Sequence, residues 1–151
     1  MRPLRQRGFV LIAMSVSMLL LLAVIGMAFD LGRIYIAKNE AQVFTDAAAM
    51  AAAAKIDGTE AGLDRARAAV AKLPMRWNLG TREFAGVVVE FSSDGQKWDR
   101  SPKEIPSVAF ARVSAPTNQV EILFLRAVGG PDSFTVPARS TAATNPVRLT
   151  E

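Results

Sequence analysis

The chain contains neither histidine nor cysteine. That removes the usual general base, the commonest metal ligand, every thiolate nucleophile and any disulfide. Chemistry must then come from carboxylates, guanidinium groups, amides and hydroxyls, and four such residues stand out by position. Asp30 is the first charge after a long apolar run, with Arg33 one helical turn on. It reads as an interfacial carboxylate in water, or as a partner for Arg33 or for another protein. Gln42 and Asp46 lie four apart, a spacing that lets the amide donate to the carboxylate on one helix face. If that face is buried, Asp46 needs a partner, such as a Lys or Arg from elsewhere in the chain or from another subunit; if it is exposed, Asp46 only solubilises the helix. Asp94 and Asp99 flank Gly95, but without the ligand spacing of a calcium loop. Trp77 and Trp98 read as packing aromatics, with a ligand-stacking role as the alternative. No phosphate-binding glycine loop, nucleophile elbow or metal cluster is present. These absences point away from an enzyme, a cofactor, a metal or a small-molecule substrate.

The element that positions the four residues is Phe9–Phe29, which runs 21 residues without a charge. Spanning a bilayer takes about 20 apolar helical residues. Twelve of the 21 are Leu, Ile, Val or Phe, which together favour insertion by roughly 5 kcal/mol. Arg2, Arg5 and Arg7 precede the run with no acid among them, whereas the following residues mix Asp30, Glu40 and Asp46 with Arg33 and Lys38. Basic residues stay on the cytoplasmic side. The expectation is therefore a cytoplasmic tail (1–8), a transmembrane helix (9–29), an extracytoplasmic helical region (30–73) and a small β-rich region (74–151). The competing reading is a secretory signal cut near Gly26-Met27-Ala28, which would release a soluble protein, but a signal's apolar core is usually about 7–15 residues.

The formal charge of +4 does not indicate a nucleic-acid partner, because the basic residues are scattered and never interleaved with aromatics. Nothing between Phe29 and Lys55 breaks a helix, so the span is expected to continue as one helix of 47 residues, Phe9 to Lys55. Ile34, Ala37, Ala41, Phe44, Ala48 and Ala51 form an apolar stripe on its outer half. That stripe is either the core face of a small domain or a surface that packs against other helices; the two readings can hold for different faces. Asp57 and Glu60 suggest a capping box for a second helix reaching about Leu73, with Leu63, Ala66, Val70 and Leu73 inward. Beyond Pro74 the composition turns β-branched. Strands are expected at Phe84–Phe91, Gln96–Asp99, Ser107–Ala115 and Ser133–Ala142, and Gln119–Val128 fits either a strand or a short helix. The fold class is α+β, with a single anchor helix continuing into a long amphipathic helix and a short second helix packed on a small antiparallel sheet.

Arg7-Gly8 before the span, Asp30-Leu31-Gly32-Arg33 at its exit, Lys38 to Gln42, and Asp46 to Ala51 together resemble the N-terminal segment of the TadE/TadG-like proteins of Flp (Tad) pilus assembly. The resemblance implies a minor pilin-like or assembly protein in the bacterial inner membrane, with its C-terminal region periplasmic. Its partners would be the bilayer and other pilin-like or Tad proteins, met through the N-terminal helix. It also marks Gly8 and Phe9 as the place where a prepilin peptidase would cut. Cleaved prepilins usually carry Glu at the fifth position after the glycine, and here that position is Ala13. The departure favours an uncleaved anchor. Longer members add a von Willebrand A-like domain, whose Asp-x-Ser-x-Ser motif this sequence lacks. The alternative from another class is a membrane-tethered envelope sensor or solute-binding module, for which a pocket lined by Trp77 and Trp98 would speak.

Overall fold

A computed structural model describes residues 5–144, with side chains from Gly8 onward. The expected basic tail therefore lies largely outside the described residues, as does the segment after Thr144. Helix α1, Arg5–Ala53, is continuous over 49 residues, or about 74 Å at 1.5 Å per residue. An 18-residue window of it reaches mean hydropathy 2.7 and is not covered by the rest of the chain. Among the described residues it is the one helix long and apolar enough to cross a membrane. Its last turn tightens through Lys55 N–H to Ala52 C=O and Ile56 N–H to Ala53 C=O. Gly58 then reverses the chain at φ +79°, a conformation that a Cβ disfavours.

Helix α2, Glu60–Ala71, begins at an N-cap that is Thr59 rather than the expected Asp57. Thr59 Oγ1 accepts from Gly62 N–H at 3.0 Å. Asp57 sits one step back, accepting from the Thr59 amide and hydroxyl at 3.1 and 2.6 Å and from Arg65 at 2.5 Å. Those bonds hold the Asp57 carboxyl below the ordinary carboxylate range, with the Thr59 hydroxyl contributing most. Leu63, Ala66 and Val70 are buried as expected, whereas Leu73 lies past the helix end and is only half-buried.

Among the described residues seven short strands follow. β1 (Arg76–Trp77) and β2 (Arg82–Glu83) form a hairpin. β3 (Val88–Ser92), β4 (Phe110–Ala115) and β7 (Ala138–Ala143) form a three-stranded antiparallel sheet in the order β3-β4-β7. β5 (Gln119–Glu121) pairs with β6 (Ser133–Thr135). The fold is α+β, but three small sheets replace the single one expected. The predicted strand Phe84–Phe91 is broken at Gly86, φ +65°. The predicted return strand Gln96–Asp99 reduces to one bridge between Phe91 and Asp99, because the Asp94 carboxylate closes the turn on the Gln96 and Lys97 amides at 2.8 and 2.9 Å. Gln119–Val128 is both alternatives in succession: strand β5, then a 3-10 turn at Leu125–Val128. The last predicted strand divides at Val136-Pro137 into β6 and β7.

The core lies between α1, α2 and the inner face of the three-stranded sheet. On α1, Ala37, Ala41, Ala48, Ala49 and Ala52 are 0–1% exposed. The sheet answers with Ala111, Val113 and Ala115 from β4 and Ala138 and Ser140 from β7, all buried. Small side chains on both surfaces let helix and sheet backbones approach closely. At the edge of this layer Phe44 stacks on Phe84 with ring centres 4.4 Å apart, and Phe84 stacks on Trp77 at 5.7 Å. Trp77 Nε1 donates to the Glu83 carbonyl at 3.0 Å, so its one polar atom is satisfied. The alanine stripe is thus the domain's own core and is not free for another helix; Ala52 rather than Ala51 completes it.

Candidate functional site

Polar residues on the C-terminal half of α1 hold the β-rich region at three heights along the helix. Lowest is Asp30, 1% exposed. Its carboxylate accepts from three consecutive backbone amides, Leu123 at 3.0 Å and Phe124 and Leu125 at 2.8 Å each. Burial by itself raises the carboxyl's pKa. The Leu125, Leu123 and Phe124 amides and the Arg33 charge outweigh that, and the group lies below the ordinary carboxylate value. The expectation of a carboxylate in water is corrected: the chain returns over the carboxylate and replaces the solvent. Arg33 does not pair with it in a salt bridge; its Nη1 donates to the Glu121 carbonyl at 3.0 Å.

Gly26, one turn below Asp30, supports the same contact. A Cβ at Gly26 would stand 2.7 Å from the Phe124 Cβ, closer than carbon atoms can sit. The Phe124 ring also meets Phe29 edge-on, with centres 5.5 Å apart. The sequence suggested Gly26 only as part of a cleavage site; in the fold it is the seat of a long-range aromatic.

At mid-height the Glu40 carboxylate accepts from the amides of Asn78 and Leu79, the latter at 3.1 Å. Asn78, Leu79 and Gly80 all have left-handed backbones, with φ of 53°, 58° and 77°. Such successive amides form a concavity for an anion, and Glu40 fills it. Sequence reasoning missed Glu40 because its partners lie 38 and 39 residues away.

Highest is a small polar network. Gln42 donates to Asp46 at 2.9 Å, the bond expected from their spacing. The partner of this pair from the β-region is Ser140 on β7, not a lysine or arginine. Ser140 donates to Asp46, accepts from Gln42 at 2.9 Å, and lies 2.8 Å from the fully buried Thr45 hydroxyl. Asp46 itself stays exposed.

Gly8 and Phe9, marked by the resemblance for peptidase cleavage, lie within α1 and are exposed. Trp77 and Trp98 do not share a pocket: Trp77 is buried in the aromatic stack, whereas Trp98 carries the Arg112 guanidinium 4.2 Å above its ring. A cleft of about 440 Å³ between α2 and β3 is lined by neither tryptophan, and one of about 370 Å³ beside Phe91 is lined by Trp98 without Trp77. Among the described residues no group of three or more Asp or Glu could hold a metal ion.

The class defined so far is an α+β protein whose candidate membrane helix doubles as the spine of its folded region. The family model described as putative Flp pilus-assembly TadE/G-like matches residues 8–55, nearly the whole of that spine. The chain therefore carries the TadE/G-like segment, which supports involvement in Flp (Tad) pilus assembly. No match is found among curated proteins or among solved structures.

Proposed function

We propose that the chain is a non-catalytic, inner-membrane-anchored component of Flp (Tad) pilus assembly, minor pilin-like or an assembly factor. Its basic tail is cytoplasmic and its C-terminal region periplasmic. The observation that carries this reading is the coincidence of the matched segment, residues 8–55, with a single helix that is lipid-compatible below Asp30 and clasps the folded region above it. Arg2, Arg5 and Arg7 support the orientation. Ala13, in place of a glutamate, supports retention of the Gly8–Phe9 bond and hence a permanent anchor.

Partner contact is assigned to the face of α1 that the domain leaves open. Phe29 (one ring edge on Phe124, the rest open), Ile36, Val43 and Met50 recur every seven residues and are 52%, 41%, 68% and 61% exposed. On a straight helix a seven-residue repeat drifts only about 20° per repeat, so these four form one apolar seam running up from the membrane exit. Such a seam fits another amphipathic helix of the same assembly. Deleting the coding sequence in the producing bacterium is expected to abolish Flp pili, with recovery on complementation. A Val43→Cys chain, cysteine-free elsewhere, is expected to cross-link to another Tad component in membranes. Normal piliation after deletion, with no cross-linked product, would overturn the proposal.

A further inference from the structure

The turn that Asp30 clasps has an unusual surface. Leu123, Phe124 and Val128 are 52%, 49% and 69% exposed and lie together on this one turn, whereas the other exposed large apolar residues after α2, Leu79 and Phe134, stand singly on separate strands or turns. Their height relative to α1 is fixed by three contacts: Phe124 on Gly26, Phe124 on Phe29, and the turn's amides on Asp30. The apolar run Phe9–Phe29 has 21 residues, about 31 Å of helix at 1.5 Å per residue, which matches a hydrocarbon core of about 30 Å. With Phe29 at the outer boundary, Gly26 lies about 4.5 Å inside it. The ring seated on Gly26 is then at or below the level where acyl chains begin.

We infer that Leu123–Val128 is a second membrane-contacting element, an apolar lip that enters the outer interface of the bilayer beside the span. Its occupant is lipid because its surface is continuous with the lipid-facing surface of α1, through Phe124 on Gly26 and Phe29. Immersion of a small apolar face to about 5–10 Å is the usual depth of interfacial elements. Much of the backbone at this depth is paired. Three of its amides are on Asp30, and the Ala127, Gly129 and Gly130 amides bond to Phe124, Arg126 and Leu125 carbonyls, as a low-dielectric setting requires. Arg126, on the same turn, is exposed and only loosely paired with the exposed Asp132 at 3.6 Å, and its stem is long enough to carry its guanidinium to the lipid phosphates instead. The lip fixes the tilt and rotation of the folded region over the membrane, which a lone helix would leave free.

This inference rests on the proposed anchor, and the test separates the two. Full-length chains with one cysteine each, Leu20→Cys, Lys103→Cys or Val128→Cys, are spin-labelled and reconstituted in phosphatidylethanolamine/phosphatidylglycerol vesicles. Accessibility to oxygen is compared with accessibility to a water-soluble nickel chelate. Val128 is exposed, so its substitution spares the core. Lys103 is exposed in the loop between β3 and β4 and serves as the water reference. The label at 128 is expected to show oxygen-rich, nickel-poor access approaching that at 20, with nickel access several-fold below that at 103. If the label at 20 is in lipid while that at 128 matches 103, the lip is refuted and the anchor stands. A label at 128 shielded from both reagents means that protein covers the turn, which also refutes the lip. Water access at position 20 refutes the anchor and the lip together.

Discussion

Replacing Ala48 by leucine tests which face of α1 is already occupied. Ala48 is 0% exposed, on a face packed against α2, β4 and β7. The sheet surface opposite is built from alanine, valine and serine, so a helix-to-sheet gap set by methyl groups must accept three further carbons. Overpacking of that kind costs about 1–3 kcal/mol, which for a folded region of this size lowers Tm by roughly 4–12 °C. Val43, five residues earlier and 68% exposed, supplies the control: Val43→Ala should change stability by no more than about 0.5 kcal/mol while weakening the helix contact proposed for that seam. Unfolding followed through the fluorescence of buried Trp77, in full-length protein held in detergent, measures both. If Ala48→Leu leaves Tm unchanged while association is lost, the alanine stripe is an interface after all, and the division of α1 into an inner and an outer face is wrong.

Three further outcomes follow from the polar contacts. Glu40→Ala should unlatch the β1–β2 turn at a cost of about 2 kcal/mol, read as faster amide exchange at Asn78 and Leu79. Ser140→Ala leaves the Thr45 hydroxyl its bond to the Gln42 carbonyl, so the loss should be about 1 kcal/mol in chemical denaturation. Asp94 is lowered to about 2, first by the Lys97 and Gln96 amides and then by Ser92. A depressed carboxyl stabilises the fold fully above its unfolded value, and that stabilisation fades as pH falls through the folded value. A carboxyl-carbon NMR titration should therefore give a midpoint near 2 for Asp94, and Asp94→Asn should flatten the acid side of the stability profile between about pH 4 and 2.

What the sequence disclosed was local. The long helix was legible from an unbroken run without proline, the second helix from its spacing, and the family segment from motifs inside one continuous stretch. Position along the chain also supplied the Gln42–Asp46 bond. The missing information was at long range. Asp30 looked like a solvated interfacial acid because nothing near it in sequence could bury it; its three donors are 93 to 95 residues away. Glu40 carried no signal, and Ser140 could not be matched to Asp46. The alanine stripe was ambiguous because alanine serves equally a tight core and a tight helix pair. The partner surface decides between the two, and it is the small-residue face of β4 and β7. Strand ends moved where turn chemistry intervened, at Gly86, Asp94 and Pro137.

The most direct test of the account is the mass of the protein's N-terminal peptide, isolated from native membranes of the producing bacterium. The account predicts a membrane-bound chain that still contains residues 1–8. A mature terminus at Phe9 would contradict the permanent anchor and make the chain a processed pilin, and a soluble product beginning at Phe29 would contradict the membrane reading altogether.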